Sequence, residues 1–560
     1  MTGGDISELE APLLDDVVRG SVDFNGQPAV RSKSGSWKSA SFMIGVEVAE
    51  RFAYYGISAN LISYLTGPLG QSTAAAAANV NAWSGTASLL PLVGGFIADS
   101  YLGRYRTVII ASVIYVLGLG FLTISAALSE SYNSLCESTT SNSACSPPLL
   151  EVIFFFFSLY LVALAQGGHK PCVQAFGADQ FDEEDKKERL AKSSFFNWWY
   201  FSTAAGVFVA QLVLSYVQEN MSWELGFGIP GAFMCLALVL FLIGSMTYRF
   251  GSSHDGRSPF VRIGLVFVRA ARSWYSSSTE TSSAAKEKDG KRHFLDRALV
   301  VGPEMDGGAC TIHDVEDAKV ILRLVPIWCT CLAYAVVFSQ AATLFTKQGA
   351  TMDRAITPTL EIPAASMQSI IHICVVISVP IYDRVLVPLA RAVTGKPAGI
   401  TMLQRIGTGM LFSIMLMVTA AFVEAERLAT AREHGLVDEP DATVPMSAWW
   451  LAPQYVLFGI ADVFTVIGLQ EYFYDQVPAD LKSVGLALYL SVFGVGSFLS
   501  SFLITVIDGA TASDGGDSWF SSNLNRGHLD YFYWLLAGIS ALTMLAYLYF
   551  AKSYVYKRKD

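Results

Sequence analysis

The 560-residue chain is short of charge: Asp, Glu, Lys and Arg make up 15% of it, against 52% hydrophobic residues. With a mean hydropathy of +0.41, that composition excludes an ordinary soluble globular protein and places the chain among polytopic membrane proteins. Basic residues are scarcer than acidic ones, 38 against 48, so there is no domain-sized basic surface for phosphates and a nucleic-acid partner is excluded. The eight cysteines form no C-x-x-C pair, and no two of the seven histidines have metal-ligand spacing. Neither a zinc or other metal site nor a redox motif is therefore expected. A G-x-x-x-x-G-K-[ST] phosphate loop is missing, which removes ATP as an energy source, and no nucleophile–base pattern suggests an enzyme. The first 40 or so residues are polar and acidic and show no signal-peptide pattern. The first membrane helix is expected to serve as the insertion signal.

What the chain does have is apolar segments near or above the ~20 residues that span a bilayer. They lie near 40–66, 78–100, 105–128, 149–172, 195–217, 227–248, 319–346, 361–390, 400–424, 447–475, 481–508 and 531–551. The expectation is an all-α polytopic membrane protein with twelve transmembrane helices in two six-helix bundles, 40–248 and 319–551. Between them, 249–318 reads as a cytosolic linker rich in Ser and charge. Phe260 to Tyr275 there has the pattern of a helix lying on the membrane surface, and Ser276 to Gly290 reads as unstructured. Residues 1–39 read as a disordered cytosolic tail and 552–560 as a second tail. Glu10-Ala11-Pro12-Leu13-Leu14 reads either as an acidic dileucine sorting patch or as plain tail.

Orientation follows from the basic residues. Arg104 and Arg106, then Lys186, Lys187, Arg189 and Lys192, then Arg384, Arg391 and Lys396 follow even-numbered helices, which puts those loops and both termini in the cytosol. Cys136 and Cys145 share the loop between helices 3 and 4, where a disulfide can form if that loop is non-cytosolic. Asp99 with Arg104 after helix 2, and Asp383 with Arg384 after helix 8, form a weak internal echo.

The anomaly is in helix 1, where Val46 to Gly56 reads V-E-V-A-E-R-F-A-Y-Y-G and buries Glu47, Glu50 and Arg51 in an apolar run. At about 2.5–3.5 kcal/mol each, three isolated charges would cost roughly 8–10 kcal/mol. Glu47 and Arg51 are i and i+4 on one face, so a carboxylate can neutralise the guanidinium locally. One acid is left over, and a surplus acid in a water-lined, low-dielectric site suits proton loading and unloading near neutral pH. Asp462 is a lone acid near the middle of another apolar segment, a functional candidate by default. Hydropathy alone leaves Lys170 open as the cytosolic end of a long helix, and His169 reads as packing at a helix end.

The turn Gly94 to Thr107, G-G-F-I-A-D-S-Y-L-G-R-Y-R-T, reads as a conformational latch in which Asp99 caps or pairs with Arg104 and Arg106. Its Gly95, Asp99, Gly103 and Arg104 resemble the cytosolic signature of the major facilitator superfamily, with the D-to-G gap widened by one. E-x-x-E-R-F-x-Y-Y-G in helix 1, this turn, F-F-N-W-W-Y-F at Phe195 to Phe201, F-G-A-D-Q-F-D at Phe176 to Asp182 and Tyr554-Val555-Tyr556-Lys557 together resemble the plant nitrate and peptide transporter family, the proton-coupled oligopeptide transporters.

That resemblance implies a major facilitator fold, with Glu47, Glu50 and Arg51 as the proton-coupling set, Lys170 as the helix 4 lysine and Asp462 at the helix 10 acidic position. It places Phe338 where a nitrate-carrying relative uses histidine, and a phenyl ring cannot donate to an anion; Gln340 follows on the same helix. Arg51 and Lys170 remain able to attract an anionic or carboxylate-bearing solute. Tyr54, Tyr55, Trp198, Trp199, Tyr200 and Tyr489 are pocket candidates, each also readable as packing or interface anchoring. Thr107 matches a phosphorylatable threonine of that relative but reads here as a cap of helix 3.

The functional expectation is a proton-coupled symporter that needs no cofactor beyond the proton, works as a monomer in a lipid bilayer and moves a small solute such as nitrate, a short peptide, a hormone or a specialised metabolite. It would sit in the plasma or the vacuolar membrane. The alternatives are a passive facilitator or exporter of the same fold and a transport-inactive sensor or scaffold.

Overall fold

The computed structural model describes residues 16–139, 147–182, 184–251, 259–279, 294–295, 311–357, 360–395, 400–440, 442–478, 481–512 and 517–554. They form twelve main rods. In the first half these are α1 (Ser36–Ser58), α2 (Thr73–Ile97), α3 (Arg104–Thr139), α4 (Leu149–Ala178), α5 (Lys186–Asn220) and α6 (Trp223–Gly244). In the second they are α7 (Ile312–Phe338), α8 (Ser369–Ile381), α9 (Met402–Glu433), α10 (Ala452–Asp475), α11 (Lys482–Thr511) and α12 (Leu529–Ser553). Ten helical runs among the described residues are long and apolar enough to cross a membrane, α8 as part of the run Ala364–Val393. The two rods that fall short are α1, with its charges, and α2, which is rich in Ala, Ser, Asn and Gly.

Helix starts follow local chemistry. Asp185 accepts the backbone N–H groups of Lys187 (2.7 Å) and Glu188 (2.8 Å) at the head of α5, and capping boxes at Thr311 and Thr401 open α7 and α9. Each half packs as its own bundle, with α1–α6 in mutual contact and α7 to α12 likewise. The halves meet chiefly through α2 and α11, where an added Cβ at Gly85 would stand 2.9 Å from the Gly494 carbonyl oxygen. Only a residue without a side chain lets the two backbones come so close.

The hydrogen bonds that join the halves lie toward the face opposite the chain ends. Lys347 Nζ donates to Thr66 (3.0 Å), Gln368 Nε2 to the Ala59 carbonyl (3.0 Å), Ser366 to the Gln211 carbonyl (3.1 Å), and Arg354 pairs with Glu219 (2.9 Å). Deeper in, Asn81 and Gln340 both donate to Ser500 Oγ at 2.9 Å.

The structure corrects the tail. Val17–Val22 (β1) and Pro28–Val30 (β2) form an antiparallel hairpin, and Phe250–Gly251 (β3), just after α6, pairs with β1. Arg31 bonds Asp182 at 2.5 Å, while the fully buried Arg249 takes both carboxylate oxygens of Glu188 (2.7 and 3.0 Å) and the Ser34 carbonyl (2.7 Å). Burial works against ionisation of Asp182. The Arg31 hydrogen bond, the Glu184 N–H and the charges of Arg31 and Arg249 outweigh it and hold the carboxyl below its usual range. The dileucine patch lies outside the described residues.

Other boundaries move too. α3 runs on to Thr139, so the backbone at Cys136 is helical and not a loop, and Cys145 lies outside the described residues, as does any pairing between them. The linker helix spans Pro259–Thr279 and buries Ile263, Val266 and Ala270 in a core shared with Val315, Ala318 and Leu324. The rest of the stretch read as unstructured, 280–290, lies outside the described residues. Both α2 and α8 end in a five-residue π-turn, Ala98–Leu102 and Tyr382–Leu386, at the two echoed acid positions. Gly103 leaves the first of these at φ 77°, a conformation glycine adopts without strain.

Candidate functional site

The site is built on α1. Glu47, Glu50 and Arg51 are 3%, 0% and 7% exposed. Arg51 Nε donates to Glu47 Oε1 at 2.7 Å and stands 3.3 Å from Glu50 Oε2. Glu50 also receives a long bond, 3.5 Å, from the Tyr115 hydroxyl on α3. The second oxygen of Glu47 and Oε2 of Glu50 are buried without a hydrogen-bond partner among the described residues. Such groups are costly to leave unmatched in a low-dielectric interior unless a proton or water satisfies them.

α4 brings Lys170 to the same place. It is half-buried, within electrostatic range of Glu47, Glu50 and Arg51, and makes no hydrogen bond or ion pair among the described residues. Because α4 continues to Ala178, Lys170 and His169 lie well inside the helix and not at its end. With both acids ionised, the four formal charges of Glu47, Glu50, Arg51 and Lys170 cancel. Adding one proton leaves the cluster with a net positive charge.

The second half contributes a separate polar point. Asp462 on α10 accepts a hydrogen bond from the Tyr334 hydroxyl of α7 at 2.5 Å. No ion pair joins it to Lys170 among the described residues. The aspartate thus bonds a neighbour within its own bundle. Phe338, one turn after Tyr334, packs against Phe458 (5.5 Å) and Phe493 (5.0 Å), and Tyr489 packs edge-on to Phe493 (5.5 Å). Gln340 is fully buried in the break after α7, where it holds Ser500 together with Asn81.

Between the two groups stand the α1 tyrosines. Tyr54 stacks on Trp83 at 5.3 Å and meets Tyr55 edge-on. Tyr55 faces His372 of α8 at 6.0 Å and lies within electrostatic range of both the α1 charges and Asp462.

Several expected members are placed elsewhere. Trp198 is 54% exposed and packs against exposed Phe201, whereas Trp199 is buried against Phe195. The side chains of Tyr200 and Asp99 lie outside the described residues. In the latch turn Gly95 packs near Pro171 of α4, and Arg104 pairs with Asp179 at 2.5 Å, tying the turn to the end of α4. Thr107 is no N-cap: its hydroxyl donates back to the Gly103 carbonyl at 2.9 Å inside the first turn of α3. Sequence reasoning missed Tyr115, Trp83, Tyr334 and His372. For Tyr334 a signal existed, because it precedes Phe338 by four residues and so shares its face.

Residues 105–520 match the model of the POT family. Two Arabidopsis thaliana proteins align end to end: Protein NRT1/PTR FAMILY 5.10 is 60% identical over 100% of this chain and 99% of its own length, and Protein NRT1/PTR FAMILY 5.16 is 56% identical over 99% of each. Among solved structures, an auto-inhibited POT family peptide transporter superposes with a TM-score of 0.71 at 22% identity, covering 93% of this chain and 98% of that one. The POT family transporter PepTSo gives 0.68 at 22% identity, covering 92% and 98%.

Proposed function

The chain belongs to the POT family of membrane transporters, and from that premise we propose that it is a proton-coupled symporter for a small organic solute bearing a carboxylate or similar anionic group. It is a multi-pass integral membrane protein with the major facilitator architecture, and not an enzyme. The observation that carries the proposal is the buried α1 cluster, with two acids for one bonded guanidinium and a free ammonium beside it. Protonating one carboxylate removes a negative charge from a site holding Arg51 and Lys170. The cluster passes from neutral to net positive and then attracts an anion, so proton and solute bind together. Tyr54, Tyr55, Phe338 and Tyr489 offer apolar and edge contacts for the body of such a solute.

The hydrogen bonds across the face opposite the chain ends support a state closed on that side. With both termini and the linker in the cytosol, this is the inward-facing half of an alternating-access cycle, in which the bundles 40–248 and 319–551 rock about the central site. The solute leaves toward the cytosol, across a plasma or vacuolar membrane, and one copy of the chain suffices. The test is uptake of radiolabelled nitrate, dipeptides and organic acids by cells expressing a fluorescent fusion, at an acidic and a neutral external pH. Accumulation that rises with acidity and collapses with a protonophore is expected for at least one organic acid or peptide. Uptake that stops at equilibrium and is indifferent to the protonophore would make the chain a passive facilitator.

A further inference from the structure

His169 is a buried titratable group that the scheme above leaves idle. Its side chain is fully buried, and neither ring nitrogen has a hydrogen-bond partner among the described residues. An imidazole buried that way loses water at both nitrogens and needs a proton donor or acceptor to replace it. The groups that can supply one are adjacent: one ring nitrogen and one oxygen each of Glu47 and Glu50 all lie within 4.8 Å of one another. The atoms left unmatched in the cluster, Glu47 Oε2 and Glu50 Oε2, are of the kind an imidazole would satisfy.

The surroundings narrow what can occupy this spot. From α1, Glu47, Glu50 and Arg51 face His169; from α3, Tyr115 meets its ring at 6.4 Å. α2 presents no titratable side chain anywhere in Thr73–Ile97, and α5 meets α4 through Phe195 against Gly177. α4 itself adds Lys170 and Cys172. Two positive side chains therefore already neighbour the two carboxylates, which disfavours a divalent metal here and leaves a proton as the fitting occupant.

We infer that His169 is a further proton-holding residue of this site, sharing one proton with the Glu47 and Glu50 carboxylates. The step balances without any co-reactant: a carboxyl O–H donates to the facing ring nitrogen, and on transfer the O–H bond breaks, an N–H bond forms, and carboxylate and imidazolium remain paired. The proton is thus retained in one cluster while its carrier changes, so Arg51 can be released from either acid without the proton escaping to water.

This inference rests on reading the α1 acids as proton-binding groups, and its test reads proton binding and not solute movement, so failure of the symport reading is a separate result. The full chain in lipid nanodiscs is followed by infrared difference spectroscopy on acidification, for the wild type and for His169→Gln, which keeps a hydrogen-bonding side chain that does not titrate. Proton affinity of the cluster, read from the protonated-carboxyl band, is expected to fall about three- to tenfold in the variant. An unchanged affinity would overturn the inference. A second measurement keeps His169 in place: with ring-labelled histidine, one histidine band is expected to titrate with the carboxyl band and to move with it in Glu50→Gln. A carboxyl band that titrates with no histidine companion would equally overturn it.

Discussion

Consider replacing each of the two α1 acids by glutamine in turn. Glu47 holds Arg51 Nε at hydrogen-bond distance, 2.7 Å, whereas Glu50 stands 3.3 Å from the same nitrogen and has only a long bond from Tyr115. A hydrogen bond to a charged group contributes about 1.5–3 kcal/mol and a neutral one about 0.5–1.5, so Glu47→Gln should cost roughly 1–2 kcal/mol of stability. Glu50→Gln removes a carboxylate that makes no short bond and leaves the Glu47–Arg51 pair intact, so its cost should stay below about 1 kcal/mol. Coupling depends on the surplus acid, however, and each variant has none. The assay is paired: thermal stability of the detergent-extracted fusion by fluorescence-detected size exclusion, and transport in liposomes run both as gradient-driven accumulation and as gradient-free exchange. Glu50→Gln should match the wild type in stability, retain exchange and lose accumulation. Glu47→Gln should lose accumulation and melt about 1–2 °C lower. If Glu50→Gln still concentrates solute when only a pH gradient drives it, or if it destabilises as much as Glu47→Gln, the assignment of structural and coupling acids is wrong.

The remaining expectations concern other parts of the molecule. Gly85→Ala would set a methyl group 2.9 Å from the Gly494 carbonyl and 3.1 Å from the Phe498 ring; relief by parting α2 from α11 costs roughly 1–3 kcal/mol. Labelling of a cysteine placed at Ser366 in the closed face should rise at least about fivefold, and unchanged labelling would show that the contact does not hold that face shut. The Asp182 carboxyl is held below its ordinary value in the folded chain, so its contribution is complete above the unfolded value near pH 4 and is lost as pH falls through the folded one. Asp182→Asn imitates the acid form at neutral pH and should speed amide exchange across residues 17–30; exchange like that of the wild type would remove Asp182 from the docking of the tail.

The twelve rods were readable because bilayer-spanning segments announce themselves by length and hydropathy, and the α1 charges stood out against that background. What escaped were features set by tertiary partners. The breaks at 59–60 and 339–343 interrupt apolar sequence without proline, and are held by bonds such as Gln368 to the Ala59 carbonyl and Gln340 to Ser500. The tail hairpin carried an Asn25-Gly26 turn signal, but its short strands made sense only once β3, far along the chain, was seen beside them. Asp462 could be picked out as a lone acid, yet its partner, Tyr334 of α7, lies 128 residues away in the sequence and is set by the packing of the second bundle. The place of His169 inside α4 escaped because the helix runs on past its apolar stretch to Ala178.

The β1–β3 pairing also has a consequence for biogenesis. Ser21 finds its partner at Gly251, about 230 residues later. At roughly 5–20 residues per second of synthesis, the tail waits on the order of 10–50 seconds, while six membrane helices are made, before it can dock. Docking of the amino-terminal segment is then a completion mark for the first bundle: a ribosome stalled before Arg249 leaves the tail without β3 and Glu188 without Arg249, open to proteases and chaperones.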